Sequence, residues 1–381
     1  MRILVVTAHP ILPLTHGGRV RTMGLAAGLA RAGATVDLLC PWSPAQPWRP
    51  YVHDGVRCIP HRFAANALRL VPDRVLPPLV ALSWQPFSLG PRRRLAAAAS
   101  YDVVQFEFCA YAAWMERIAR VSTVVYSAHN VEPDQHRGEA AAAPLLRPWA
   151  GRVAALERRA VRASRLVITC TDADASRLAE LWGGPAFAVV PNGFDEALLG
   201  AGGAALRAEA RASLGIPQDA SALLFVGGRA RHNRQAVEFL EREVVPRLGG
   251  GRLLVAGACA DDLPPARDDS VLRLGFVEDL RPLLAAADIA VNPIAYGSGS
   301  NLKMAEYLAA GLPVVSTPVG ARGFEEHLGA VRVAPLDRFA AAVLETASAR
   351  EAQAADVGEL SWTRLGRRLR ETYDELLAGR P

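Results

Sequence analysis

Short apolar runs, rich in Val, Ile and Leu, recur along the chain. Most are closed by a Gly, Pro, Asn or Asp cluster and followed by a helical stretch. Residues 2–8, 35–40, 101–106, 122–127, 166–169 and 188–191 are such runs in the first half. Residues 222–226, 253–257, 271–275, 289–292 and 313–316 repeat the pattern in the second. Runs apolar at successive positions, rather than at alternate ones, fit strands buried on both faces, as in a parallel sheet. Helices are predicted over 19–32, with Gly33 as the C-cap, and over 147–163, 235–247, 302–310 and 361–378. The repeated strand–helix–strand order predicts an α/β chain with two Rossmann-like, doubly wound domains. The Ala- and Gly-rich stretch 196–220 reads as a linker with a short helix. The predicted division is therefore 1–195, 196–360, and an amphipathic helix over 361–381 that packs back on the first domain.

Composition narrows the class. The 381 residues are 51% hydrophobic and 21% charged, which fits a globular chain. The net charge of +5 suits anionic substrates or an acidic membrane surface and does not require nucleic acid. Five scattered cysteines with no C-x-x-C pair read as reduced, structural thiols, hence a cytoplasmic setting. The apolar N-terminus is too short for a signal sequence, and no apolar span reaches membrane-crossing length. Residues 57–94 carry seven arginines and one acid among large apolar side chains. That mixture fits peripheral contact with an anionic membrane at the inner face of the cell. An amphipathic helix pair with a solvated basic face is the other reading.

The chemistry concentrates in Gly297-Ser298-Gly299-Ser300-Asn301-Leu302-Lys303-Met304-Ala305-Glu306. A Gly-rich turn there joins a buried strand to a helix start, where backbone N–H groups and the helix dipole favour an anion. Of the 43 Lys and Arg residues, Lys303 is the one lysine. It lies three positions before Glu306, on the same helix face. The spacing is not that of a Walker A loop. Three further places stand at predicted strand ends: Gly17-Gly18 in a loop after the first strand, His129 after the run 122–127, and the basic loop 229–234 ahead of a helix. Two basic loops at neighbouring strand ends would clamp a diphosphate. Asp172-Ala173-Asp174 mimics a metal-binding pair, but its place between a strand and a helical run reads as helix capping.

Taken together, Gly17-Gly18 with Arg21, His129-Asn130-Val131-Glu132, Val190-Pro191-Asn192-Gly193-Phe194-Asp195, Phe225-Val226-Gly227-Gly228, Gly297–Glu306 and Ala309-Ala310-Gly311-Leu312-Pro313-Val314-Val315 resemble the retaining glycosyltransferases of group 1, the GT4-type family. The resemblance runs over nearly the whole chain. It implies the GT-B fold, two Rossmann-like domains facing across a cleft, with the C-terminal helix crossing back. It implies a nucleotide-diphosphosugar donor and no metal or other cofactor. Glu306 matches the second Glu of the family's E-x7-E motif, which holds ribose hydroxyls. The first Glu is replaced by Ser298, so sugar recognition would rest on Ser298, Ser300 and the backbone of Gly299, Ser300, Asn301 and Leu302. Arg229 and Arg234 keep the spacing of the family's phosphate-binding pair, and an alternative alignment puts Asn233 in the second place. His129 matches the His near the transferred sugar, Gly17-Gly18 the loop beneath the diphosphate, and Arg21 falls on the acceptor side.

The expected reaction is transfer of a sugar to an acceptor hydroxyl with retention. The acceptor would be a glycan or a lipid-linked molecule. Lys303, Arg229 or Arg234, and the helix start would stabilise the departing diphosphate. Two alternatives use the same fold: a nucleotide-sugar epimerase, and a non-catalytic nucleotide-sugar-binding partner of a polysaccharide assembly system.

Overall fold

The computed structural model describes residues 1–61, 75–83, 97–200, 204–266, 268–297, 299–349 and 356–379. Ser298 and most of the basic stretch 57–94 lie outside these residues. The chain divides into two compact units. One comprises residues 1–14, 18–191 and 362–381, and the other residues 15–17 and 192–361.

The first unit carries strands Arg2–Thr7 (β1), Thr35–Pro41 (β2), Tyr51–His53 (β3), Val56–His61 (β4), Val103–Glu107 (β5), Thr123–Ser127 (β6), Leu166–Thr169 (β7) and Ala186–Val189 (β8). Their order is β3-β4-β2-β1-β5-β6-β7-β8. All neighbours are parallel except the hairpin β3–β4. Order reverses between β1 and β5, which sets the switch point of this sheet. The sequence pattern misses the hairpin: β3 is a three-residue strand at the sheet edge with its one aliphatic residue, Val52, turned to solvent, so it carries little hydrophobic signal. Arg57 to His61, expected in the basic apolar segment, belong to β4. Within the same segment the helix Pro78–Ser83 buries Val80, Ala81 and Leu82.

Helix Gly17–Arg31 follows β1, and Gly33 ends it with φ +88°. Gly17 and Gly18, expected in a loop, are instead the first two residues of this helix. Helix Trp362–Ala378 packs on it through glycine. A Cβ on Gly28 would stand 2.1 Å from the Trp362 carbonyl oxygen, and one on Gly366 would stand 2.1 Å from the Gly28 carbonyl carbon. No other residue type permits that approach. Trp362, Leu365, Leu369 and Tyr373 are buried beneath the crossing. At the far edge, Thr171 caps helix Asp172–Trp182 by accepting from Asp174 N–H at 3.0 Å. Asp172 and Asp174 sit in its first turn, as the capping reading requires, with Thr171 itself at the N-cap.

The second unit carries Ala222–Val226 (β9), Arg252–Ala256 (β10), Val271–Gly275 (β11), Ile289–Asn292 (β12), Val314–Ser316 (β13) and Val331–Val333 (β14). All are parallel, in the order β11-β10-β9-β12-β13-β14, a doubly wound sheet with its switch point between β9 and β12. The continuous apolar runs have a direct cause. Leu224 of β9 and Leu254 of β10 enter one core, while Leu223, Phe225, Leu253 and Val255 enter the core on the opposite face. Helix Ala204–Ser213 is tied to the segments that lead into the central strands β9 and β12 by Arg211, which is fully buried. Its guanidinium donates to the carbonyls of Ala286, Pro217, Gln218 and Ala220 and to Asp288 at 2.7 Å.

The helix expected over 235–247 starts earlier, at Arg231. It runs regularly to Phe239, then takes one wide turn over Leu240–Val244 and a tight one over Val245–Arg247. Pro246 cannot continue the regular ladder, which accounts for the change at the end. The basic loop is thereby shortened to Arg229 and Ala230. Among the described residues no helix is long and apolar enough to cross a membrane.

Candidate functional site

Each sheet gathers polar side chains at the carboxyl ends of strands at or next to its switch point, where open parallel sheets place their ligand crevices.

In the second unit the turn after β12 uses glycines with left-handed backbones, φ +142° at Gly297 and +71° at Gly299, conformations that side-chain-bearing residues resist. Asn192 clamps the turn by donating to the Ser300 carbonyl at 3.0 Å and to Ser300 Oγ at 2.8 Å. Asn301 takes the N-cap position of helix Leu302–Ala309 and reaches the Gly320 carbonyl at 3.3 Å. Tyr307, one turn on, accepts the Val226 N–H at 2.8 Å and so fastens the helix to the end of β9.

Lys303 is thereby held beneath the strand ends, 8% exposed. Its Nζ donates to Asn233 Oδ1 at 3.0 Å and lies 4.0 Å from the centre of the Phe225 ring. Asn233 is itself oriented by donating to the Gly228 carbonyl at 3.1 Å. Burial lowers the Lys303 amine to about 7, so near neutrality it is poised between charged and neutral forms. Glu306 follows on the same helix and is half-buried. Burial raises its carboxyl to about 7, against the opposing pull of Lys303. His232 stands edge-on to Tyr296, with ring centres 5.9 Å apart. Burial, and then Lys303, lower it to about 4, which keeps it neutral.

The arginines of 229–234 behave differently from one another. Arg229 is well exposed and pairs with Asp261 at 2.8 Å and Asp262 at 3.7 Å, so its guanidinium is engaged by carboxylates at the end of β10. Arg234 lies in the first turn of its helix, half-buried. The side chain brought to Lys303 is Asn233, the residue of the alternative alignment.

In the first unit a buried polar group lies across the ends of β5 and β6. His129 Nε2 is 2.5 Å from Glu107 Oε2. Phe108 stacks on the imidazole at 4.1 Å and 29°, and His9 meets Phe108 edge-on. Burial lowers the His129 pKa more strongly than its bond with Glu107 raises it. For Glu107 the balance falls the other way. Burial is the largest influence and raises it, but His129, Gln105 and Arg21 together bring it below the ordinary carboxylate value. Both directions favour a carboxylate facing a neutral imidazole.

Arg21, expected on the acceptor side, is buried and directed inward: its guanidinium donates to the Val190 carbonyl at 2.7 Å and the Pro191 carbonyl at 2.9 Å. It thus holds the end of the first unit's last strand segment.

Sequence reading overlooks Gln105 and Glu107. The signal for them is two polar residues, two apart, on a strand whose other positions are apolar and buried. Such groups remain in a core only when partnered.

Two family profiles match the chain. One, glycosyltransferase family 4, matches residues 15–198, and the other, glycosyl transferases group 1, matches residues 220–348. No curated protein matches in a sequence search. Among solved structures, sucrose-phosphate synthase from Thermosynechococcus elongatus is 19% identical, with a TM-score of 0.69 over 99% of this chain and 95% of its own. WaaG, a glycosyltransferase involved in lipopolysaccharide biosynthesis, is 17% identical with a TM-score of 0.64 over 100% of both chains. HepE from Anabaena, in complex with UDP-glucose, is 16% identical with a TM-score of 0.64 over 99% of this chain and 98% of its own. At these identities the structural likenesses speak for the fold. With the two profiles matching successive halves in the expected order, the chain belongs to the group 1 glycosyltransferases of GT-B fold.

Proposed function

We propose that this glycosyltransferase moves a sugar from a nucleotide-diphosphosugar to an acceptor hydroxyl with retention of anomeric configuration. The observation that carries the reading is the chain's one lysine, held by Asn233 at the switch point of the second sheet and at the start of a helix. As the donor's C–O bond breaks, negative charge gathers on the leaving diphosphate. A buried ammonium and helix-start N–H groups stabilise that charge without reorganising at the moment of reaction. Asn233 aims the ammonium. Glu306 takes the ribose hydroxyls, Gly299 to Leu302 take the sugar and phosphate, with Ser298 added on the family resemblance alone, and Arg234 supplies the second cation. His129 is assigned to the sugar on the strength of the family resemblance. The acceptor's proton leaves on a departing phosphate oxygen, so no paired carboxylates are needed. A glycan or a lipid-linked hydroxyl is the acceptor class, with residues 57–94 as the contact to an anionic membrane.

Solved neighbours with UDP or UDP-glucose bound make UDP-sugars the first donors to try. The test is thermal-shift screening against UDP-, GDP- and ADP-sugars, then nucleotide release with a panel of hydroxyl acceptors and anomer assignment of the product by NMR. Stabilisation by one donor class, acceptor-dependent nucleotide release and a product of unchanged anomeric configuration are expected. Lys303→Ala is expected to lower turnover about tenfold or more at saturating donor. Failure of every nucleotide sugar to bind, or near-normal turnover of Lys303→Ala, would overturn the reading. Isomerised or free sugar formed without acceptor would favour the epimerase instead.

A further inference from the structure

The His129–Glu107 pair is one end of a longer buried chain of hydrogen bonds whose other end belongs to the C-terminal helix. Tyr373, fully buried on helix Trp362–Ala378, has its hydroxyl 2.6 Å from Gln105 Oε1. Gln105 Nε2 donates to Glu107 Oε1, and Glu107 Oε2 faces His129 Nε2. Gln105, Glu107 and Tyr373 are each at most 1% exposed, so every link is sheltered from water.

Chemistry fixes the direction of the chain. A carboxylate only accepts, so Glu107 requires a donor at each oxygen. The donor at Oε1 must be the Gln105 amide nitrogen, which turns the Gln105 carbonyl toward Tyr373 and makes the tyrosine the donor there. The donor at Oε2 must be His129 Nε2–H. A neutral imidazole with its proton on Nε2 has its lone pair on Nδ1. Reversing any one link would set two acceptors or two donors against each other inside the core, an arrangement that costs the full desolvation of the orphaned group.

We infer that Tyr373 is a positioning residue: through Gln105 and Glu107 it holds His129 in the Nε2–H tautomer. The catalytic consequence rests on the proposed role of His129 at the sugar; the tautomer lock does not. The relay also gives the C-terminal helix a chemical task beyond packing. Its crossing at Gly28 and Gly366 sets the depth at which the Tyr373 hydroxyl meets Gln105.

The test uses the full-length protein. The tautomer and titration of His129 are read from imidazole nitrogen shifts by NMR, and kcat, KM and the pH–rate profile from nucleotide release. Among the described residues, the groups facing His129 or its immediate surroundings include Glu107, Arg21, Cys170, whose Sγ lies 3.6 Å from the His129 carbonyl, and His9 across Phe108. Tyr373→Phe is expected to turn a single Nε2–H form into a mixture of tautomers. It should also shift the pH–rate profile and lower kcat several-fold while donor KM stays within about twofold. Glu107→Gln, which keeps the shape and removes the obligatory acceptor, is expected to produce the same spectroscopic change. It serves as the second probe if Tyr373→Phe folds poorly. Leu369→Ala, on the same helix and outside the relay, should lower the melting temperature without moving the tautomer. A Tyr373→Phe protein with unchanged His129 shifts overturns the relay. Altered shifts with unaltered kcat and pH profile overturn the positioning role. If no transfer activity exists at all, the functional reading fails while the NMR arm still decides the relay.

Discussion

Replacing Lys303 by methionine separates the stability of the second unit from its chemistry. Burial takes the amine from 10.5 to about 7, which corresponds to about 5 kcal/mol lost by the charged form. The folded value lies below the unfolded one. The penalty is therefore absent above about pH 10.5, grows as pH falls, and is complete below about pH 7, where it weighs against folding by about 4–5 kcal/mol. Methionine occupies a similar volume, keeps a polarizable contact with Phe225 and carries no charge. It leaves Asn233 Oδ1 without its donor, a loss of about 1–3 kcal/mol. The difference is a gain of about 1–4 kcal/mol, which for a unit of this size raises Tm by about 2–4 °C per kcal/mol. The same substitution takes the ammonium away from the donor's diphosphate. Differential scanning fluorimetry at pH 7, with and without the stabilising nucleotide sugar, reads both effects. Lys303→Met should melt above the wild type alone and gain little or nothing from the donor. A variant that melts lower, yet gains as much from the donor as the wild type, would refute both the cost assigned to the buried amine and its role.

Three further outcomes are expected. Because the Lys303 amine sits at about 7 and the diphosphate requires it charged, donor binding should take up a proton and weaken above pH 7, by up to about tenfold per pH step; calorimetry in buffers of different ionisation enthalpy measures this, and an uptake of zero at pH 8 contradicts it. Glu132 and Glu157 are buried together, and burial raises them to about 8 and about 7. Their folded values exceed the unfolded 4.5, so the stability they contribute is present below about pH 4.5 and is lost as pH rises to 8. Glu132→Gln should therefore match the wild-type Tm near pH 5 and exceed it by several degrees at pH 8, and a gap that does not grow with pH speaks against the linkage. Gly28→Ala drives a methyl into the Trp362 carbonyl and should cost about 1–3 kcal/mol or more; an unchanged urea midpoint would show that the helices part without penalty.

The two doubly wound sheets were legible because their strands are buried on both faces, which writes an unbroken apolar run into the sequence at β9, β10 and β12. The turn at 297–301 was legible for a similar reason: only glycine takes the backbone angles at 297 and 299. Short or solvated pieces escaped. Two of the three residues of β14 are exposed, and β3 pairs only at the sheet edge, so neither shows the buried pattern. Arg21 is assigned to the acceptor side by the family resemblance, and sequence alone does not show the two carbonyls that receive its guanidinium. Asn233 was ambiguous because its meaning depends on Lys303, 70 positions away. The relay was the hardest part to read. Gln105 and Tyr373 are 268 positions apart, and neither residue is unusual until the two are seen to touch.

The Gly28–Gly366 crossing bears on how this protein is made. Residues 1–191 leave the ribosome first, yet the helix that covers one of their apolar faces is encoded beyond the whole second unit. At about 5–20 residues per second the nascent first unit waits about 10–35 s for that cover. Through that interval Gly24 and Gly28 lack the Trp362 side chain and backbone that stand against them in the finished protein, which makes the partly synthesised chain a natural client for chaperones.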